Sequence, residues 1–170
     1  MTLEILVGMI ASGKTTYARK RADEGAIVVC HDDITQALHC RYRYEQGLRE
    51  FYRRVEEGIA FAALNAGRDV VVDRTHLTAE SRRRWIRWAA DYASPNTFDG
   101  RGPLVRVVAV EFPRKIAHVH ARRRYEGDPR GRTFEEWSRV ALHHQEQAEK
   151  EPLSAGEGFD EIVRIGEVPR

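Results

Sequence analysis

A chain of 170 residues with 42% hydrophobic and 32% charged side chains can bury a core and is too apolar to be a disordered chain. Its longest apolar runs, such as Ile59–Leu64 and Val107–Val110, are far too short to span a bilayer, and Met1-Thr2-Leu3-Glu4 lacks the basic start of a secretion signal, so the expectation is one cytoplasmic domain, residues 1–170, with no membrane partner. The net charge of +2 is unevenly spread, with five Arg and one Glu in residues 74–87, seven basic and two acidic side chains in 114–132, and seven acidic and three basic ones in 146–170.

In chain order, Leu3–Val7 reads as a buried strand ending at Gly8, followed by a helix through about Asp23. Ala26–Cys30 is a second apolar strand, closed by His31-Asp32-Asp33, and a helix is expected to start near Ile34 with Asp33 as its cap. A long helix is expected over Tyr44–Asn65, with an apolar stripe at Leu48, Phe51, Val55, Ile59 and Ala62 or Ala63 and a stop at Gly67. The β-branched Val70-Val71-Val72 makes Asp69–Asp73 a third strand. Thr78 is placed to cap the next helix, to about Tyr92, and Ser94–Pro103 is a loop. Leu104–Phe112 reads as a fourth strand, Pro113 as the first turn of a helix reaching Arg124 or Tyr125, residues 134–150 as a helix and Glu161–Ile165 as a fifth strand. Strand–helix alternation of this kind predicts an α/β fold, a parallel sheet of about five strands with helices on both faces. Ligands of such sheets bind at the carboxyl ends of the strands, so chemistry is sought there.

After the first strand stands Gly8-Met9-Ile10-Ala11-Ser12-Gly13-Lys14-Thr15, a full GxxxxGKT phosphate loop in its strand–loop–helix context. Backbone N–H groups of Gly8, Ala11, Ser12 and Gly13 are expected to wrap the phosphates of ATP or another NTP, with Lys14 on the β/γ oxygens. The Thr15 hydroxyl is the expected Mg²⁺ ligand, and Thr16 lies beside the nucleotide. After the second strand, Asp32 is the candidate general base, taking the proton of an attacking hydroxyl. After the third come Asp73, expected near Mg²⁺ and substrate, and His76, read as a hydrogen-bonded structural residue. Arg122-Arg123-Arg124 with Arg130 and Arg132 reads as an Arg-rich lid, residues 122–134, closing on the triphosphate. Arginine supplies nearly all the positive charge, 24 residues against four Lys, and its planar fork suits phosphate. Cys30 and Cys40 have no metal-type spacing and read as reduced structural cysteines.

This ordered set of motifs over residues 3–165 resembles the 5′-hydroxyl polynucleotide kinases of phages and bacteria. The resemblance implies a P-loop kinase fold, ATP and Mg²⁺, and transfer of the γ-phosphoryl group to the 5′-hydroxyl end of DNA or RNA, with single-stranded nucleic acid as partner. For a phage-encoded chain the compartment would be the host cytoplasm. It assigns Lys14, Asp32 and Arg124 to catalysis, Lys14, Thr15, Arg122 and Arg124 to the nucleotide, and Asp32, the Thr35 position and Asp73 to the substrate. Three positions depart from the family pattern: Thr35 replaces an Arg that contacts substrate phosphate, His76 replaces an Asn, and His120 replaces an earlier lid Arg. They leave the acceptor open between a polynucleotide end, a hydroxymethylated DNA base, and a nucleoside or other small molecule. A nucleotide-binding switch or ATPase with no acceptor is the reading of a different class.

Overall fold

The computed structural model describes residues 1–94, 104–127 and 131–166. Five strands, β1 (Thr2–Val7), β2 (Ile27–Cys30), β3 (Val70–Asp73), β4 (Arg106–Glu111) and β5 (Glu161–Arg164), form one sheet in the order β2-β3-β1-β4-β5. Every pairing is parallel, with Leu3 opposite Val70 and Val107, and Cys30 opposite Asp73. Six helices connect them: α1 (Lys14–Asp23), α2 (His31–His39), α3 (Arg49–Asn65), α4 (Ala79–Ala93), α5 (Ala117–Gly127) and α6 (Phe134–Lys150).

The strands are buried on both faces because their side chains alternate between two cores. Leu3, Ile5, Val7, Val70, Val72, Val107 and Ala109 join Ala60, Leu64, Trp85 and Ala89 of α3 and α4 on one face. Leu6, Val71, Val108 and Val110 join Ala18 of α1 on the other. Glu4 also faces α1, and its carboxylate is satisfied there by the Tyr17 hydroxyl at 2.9 Å and Arg21 at 2.8 Å. A third cluster, Met9, Ala117, Ala121, Trp137 and Ala141, packs α5 and α6 against the start of the phosphate loop.

Three local expectations are corrected. The helix after Cys30 begins at His31 rather than near Ile34, so Asp33 lies in its first turn and caps nothing; both aspartates then favour the helix dipole. The long helix begins at Arg49, after a 3-10 turn at Gln46–Leu48. Its buried stripe is Tyr52, Glu56, Ala60, Ala63 and Leu64, whereas Phe51 is exposed and Val55 and Ile59 flank the core. That stripe is about one residue, or about 100°, from the apolar one, because the inward face carries a charged residue that hydrophobicity could not mark. The helix expected from Pro113 starts at Ala117, whose N–H donates to the Gln145 side chain of α6 at 3.0 Å. Thr78 caps α4 as expected, accepting from Ser81 N–H at 3.3 Å. Most of the loop expected over Ser94–Pro103 lies outside the described residues. No described helix is long and apolar enough to cross a membrane.

Candidate active site

The sheet order decides which strand ends meet. β1 is central, β3 is its neighbour and β2 lies beyond β3, so the phosphate loop, Asp73 and Asp32 emerge side by side. The loop turns back on itself with Ala11 and Gly13 at positive φ, 50° and 102°. A Cβ at Gly8 would meet Ser12 Oγ at 2.7 Å and Phe112 Cβ at 3.0 Å, so only glycine fits the start of the loop. Gly13 precedes α1, whose N-terminus has no side-chain cap; its N–H groups remain available to an anion.

A cavity of about 310 Å³ opens beside the loop, lined by Ile10, Ala11, Lys14 and Thr15, by Asp32, Asp73 and Arg74, and by Arg124, Arg132 and Trp137. Gly8, Ser12, Gly13 and Thr16 do not line it. The Gly8 N–H donates to the Thr75 carbonyl at 3.0 Å, so the phosphate contact expected of it is corrected; Ser12 and Gly13 shape the loop's backbone, and Thr16 is exposed in the first turn of α1.

Lys14 is buried, and its ammonium donates to the carbonyls of Gly8 at 3.0 Å and Met9 at 2.6 Å. Burial lowers its pKa to about 8 against the opposing pull of Asp73 and Asp32. The Thr15 hydroxyl donates to Asp73 Oδ2 at 2.8 Å. Burial raises the Asp73 carboxyl above its usual range, with the Thr15 hydrogen bond and Lys14 working against it. Thr15 and Asp73 are hard oxygen donors beside a phosphate loop. Mg²⁺ in phosphoryl-transfer sites takes one or two protein oxygens and completes its shell with phosphate and water, so this pair fits it. Among the described residues no three His, Cys, Asp or Glu side chains gather into a denser metal set.

Asp32 projects from the first turn of α2 into the cavity, its side chain 49% exposed; Asp33 is exposed outside it. Arg124 faces Asp32, Nη2 to Oδ2 3.9 Å, and lies over the Trp137 ring, 5.2 Å from its centroid. Arg132 lies over the same ring at 5.0 Å. Arg122 is elsewhere. It is 70% exposed and pairs with Glu126 at 3.3 Å, because two residues on a helix turn the side chain about 200°. The nucleotide contact expected of Arg122 is therefore corrected. Thr35 is corrected as well, being fully buried with its hydroxyl donated to the His31 carbonyl at 2.7 Å, away from the cavity. Residues 128–130, and with them the expected lid residue Arg130, lie outside the described residues.

The two histidines that replace expected family residues are both internal. His76, at φ 42°, donates from Nδ1 to the Leu6 carbonyl at 2.9 Å, and burial lowers its pKa to about 3. His120 is buried, accepts from Lys115 N–H at 3.1 Å, and has its pKa lowered by burial. It cannot act as a lid cation from that position.

Residues not singled out in the sequence complete the site. His144 of α6 accepts from Ile10 N–H at 3.4 Å, and burial pushes its pKa down to about 4, so it braces the loop as a neutral ring. Glu56 is fully buried beneath the cavity wall and holds His31 Nδ1 at 2.7 Å, Arg74 at 2.9 Å and Arg84 at 3.1 Å. Burial alone would raise its pKa, but the His31 hydrogen bond and the charges of Arg74 and Arg84 bring it down to about 2. A carboxylate within a helical stripe otherwise made of Tyr52, Ala60 and Ala63 was the available signal.

No curated protein matches the chain. Among solved structures, one chain of the Pnkp1/Rnl/Hen1 RNA repair complex superposes with a TM-score of 0.64 at 19% identity, over 88% of this chain and 45% of that one. A fungal RNA kinase gives 0.59 at 13% identity, over 96% and 73%. The APS kinase CysC of Mycobacterium tuberculosis gives 0.53 at 18% identity, over 98% and 90%. At these identities the likeness is one of fold, and the chain spans less than half the length of the RNA-repair chain it matches. The AAA domain model AAA_33 matches residues 3–147, and with its phosphate loop on the central strand of a five-stranded parallel sheet, this protein belongs to that AAA domain family and has the P-loop kinase fold.

Proposed function

We propose that this protein transfers the γ-phosphoryl group of ATP to a hydroxyl of a nucleic acid, the 5′-hydroxyl end of single-stranded DNA or RNA. The observation that carries this is Asp32, a half-exposed carboxylate in the same cavity as Lys14 and Thr15 and opposite Arg124. A hydrolase needs only to orient water. A carboxylate at the open side of the cavity suits an acceptor hydroxyl that enters from outside.

In this mechanism the loop N–H groups and Lys14 hold the triphosphate, and Lys14 exchanges its carbonyl contacts for phosphate oxygens. Thr15 and Asp73 would hold Mg²⁺, which would supply neutralisation of the triphosphate's charge. Asp32 accepts the proton of the acceptor hydroxyl as the hydroxyl oxygen attacks the γ-phosphorus, and the bond from that phosphorus to the β–γ bridging oxygen breaks, the oxygen leaving with ADP. Arg124 donates to the equatorial oxygens as charge builds there. Fold relatives that include an RNA kinase and an APS kinase support phosphoryl transfer as the reaction class.

The test is incubation with γ-labelled ATP and a panel of acceptors: 5′-hydroxyl DNA, 5′-hydroxyl RNA, hydroxymethylated DNA and nucleosides. Label on 5′-hydroxyl ends is the expected result. Label confined to the modified base or to nucleosides would reassign the acceptor, and release of phosphate without labelled product would remove the kinase reading.

A further inference from the structure

A second cavity, of about 270 Å³, adjoins the first and shares Arg74 and Thr75 with it. Its wall carries five arginines and one glutamate. Arg49 and Arg53 lie four residues apart on one face of α3, and Arg84 and Arg87 three apart on one face of α4. Arg74 stands where the groove meets the catalytic cavity.

Like charges do not gather at this density without compensation, and here the compensation is partial. Glu56 holds Arg74 and Arg84 from below, Glu57 adds a 3.0 Å contact to Arg84, and Glu50 binds Arg53 at 2.7 Å. These carboxylates fix three guanidinium groups in orientation. Arg49 and Arg87 are exposed and pair with no carboxylate among the described residues. The N-terminus of helix α4 borders the same groove through Thr78 and Ser81, but its N–H groups are taken by Glu151, at 2.6 Å from Ala79, and by the Thr78 cap, so the arginines carry the groove's positive charge.

From this juxtaposition we infer that the Arg49–Arg87 groove binds the phosphodiester backbone of the acceptor strand, on the side leading away from its reacting hydroxyl. The inference rests on the nucleic-acid reading of the catalytic cavity and extends it. A strand whose terminal hydroxyl lies at Asp32 passes Arg74 and enters the groove, where successive phosphates meet planar guanidinium forks. The fully buried Thr35 offers no such contact. Arg74 is a binding residue of this path, and Glu56 is a positioning residue that acts through it.

The experiment compares wild type with the double variant Arg49→Ala/Arg87→Ala and with Arg54→Ala. Arg54 is an exposed arginine of α3 that does not line the groove. Binding of a 3′-fluorescein-labelled 5′-hydroxyl DNA dodecamer is read by anisotropy between 50 and 200 mM salt. The double variant is expected to bind about tenfold more weakly at low salt, and the slope of log K against log salt is expected to fall by about 1.4, at about 0.7 per single-strand phosphate contact. Arg54→Ala is expected to match wild type. In kinase assays the double variant is expected to raise KM for the dodecamer with kcat kept, and to leave a nucleoside 3′-monophosphate acceptor unchanged.

Equal binding by the double variant, an equal loss in Arg54→Ala, no dodecamer binding by wild type, or equal wild-type affinity for a glutamate dodecamer would each overturn the groove. The acceptor panel judges the catalytic reading separately. Labelled 5′ ends with no effect of the double variant would remove the groove alone. Oligonucleotide binding lost in the variant, with no labelled end in wild type, would keep the groove and remove the catalytic reading.

Discussion

At the scale of single residues, environment separates side chains that the sequence presents as equals. Asp32 and Asp33 are adjacent, but only Asp32 lines the cavity. Asp32→Asn is expected to lower turnover by about 10²–10⁴-fold, the usual range for a lost general base, while ATP still binds by calorimetry. Asp33→Asn is expected to stay near wild type. His76 gives a test by pH. Its pKa is about 3 in the fold, against an ordinary value of 6.5, so the unfolded chain binds the extra proton between those values. Its contribution is complete above pH 6.5 and declines as pH falls towards 3. Arg74, Arg84 and Glu56 also act on it. Asparagine tolerates positive φ and has no such titration. The fall in melting temperature from pH 7 to pH 4.5 is expected to be smaller in His76→Asn than in wild type. An unchanged profile would place the titration elsewhere, with His144 the next candidate.

Among the elements, α5 and α6 pack together, and their faces give the arginines of the expected lid different surroundings. Trp137 is buried between them and supports Arg124 and Arg132, while Arg122 points outward to Glu126. The Thr133–Glu136 capping box fixes the start of α6 just beyond Arg132. In steady-state kinetics, Arg124→Ala is expected to reduce kcat by about 10²-fold or more, as loss of a donor to transition-state charge does. Arg132→Ala is expected to cost less, because Arg124 rather than Arg132 pairs with Asp32, at 3.9 Å, and Arg122→Ala to behave like wild type. Inactivity of Arg122→Ala with a normal Arg124→Ala would reverse the facing of α5.

Across the whole molecule, the buried ion pair of Arg82 and Glu157 fastens the C-terminal segment to α4 and to the loop after β3. Its contacts to Glu157 are 2.7 and 2.8 Å, and Arg82 also donates to the carbonyls of His76, Leu77 and Glu151. Arg82 is 1% exposed, so removing it strands a carboxylate in the interior. Arg82→Ala is expected to cost about 3–5 kcal/mol in urea unfolding, with less structure-independent effect on turnover than Asp32→Asn in the protein that remains folded. A loss below about 1 kcal/mol would mean that Glu157 finds water without disturbing the fold.

The order of strands and helices, the phosphate loop and the candidate residues Lys14, Thr15, Asp32 and Asp73 were legible in the linear pattern. They depend on local chemistry: β-branched runs, a glycine-rich turn, and residues set just after each strand. The parallel sheet of five strands follows from the same alternation and is the sheet observed. What the pattern could not carry was orientation about each helix axis and satisfaction of polar groups across elements. Phe51 is the more apolar of two neighbouring aromatics, yet packing of α3 buries Tyr52, whose hydroxyl meets His39 at 2.8 Å, and leaves Phe51 exposed. Arg122 and Arg124 differ by a helix rotation that charge counting ignores. Glu56 is buried because His31, Arg74 and Arg84 converge on it from α2, the loop after β3 and α4, a set separated by up to 53 positions in the chain. Local propensity reads along the backbone, whereas burial of a charge is decided by partners that arrive only when the sheet brings its strand ends together.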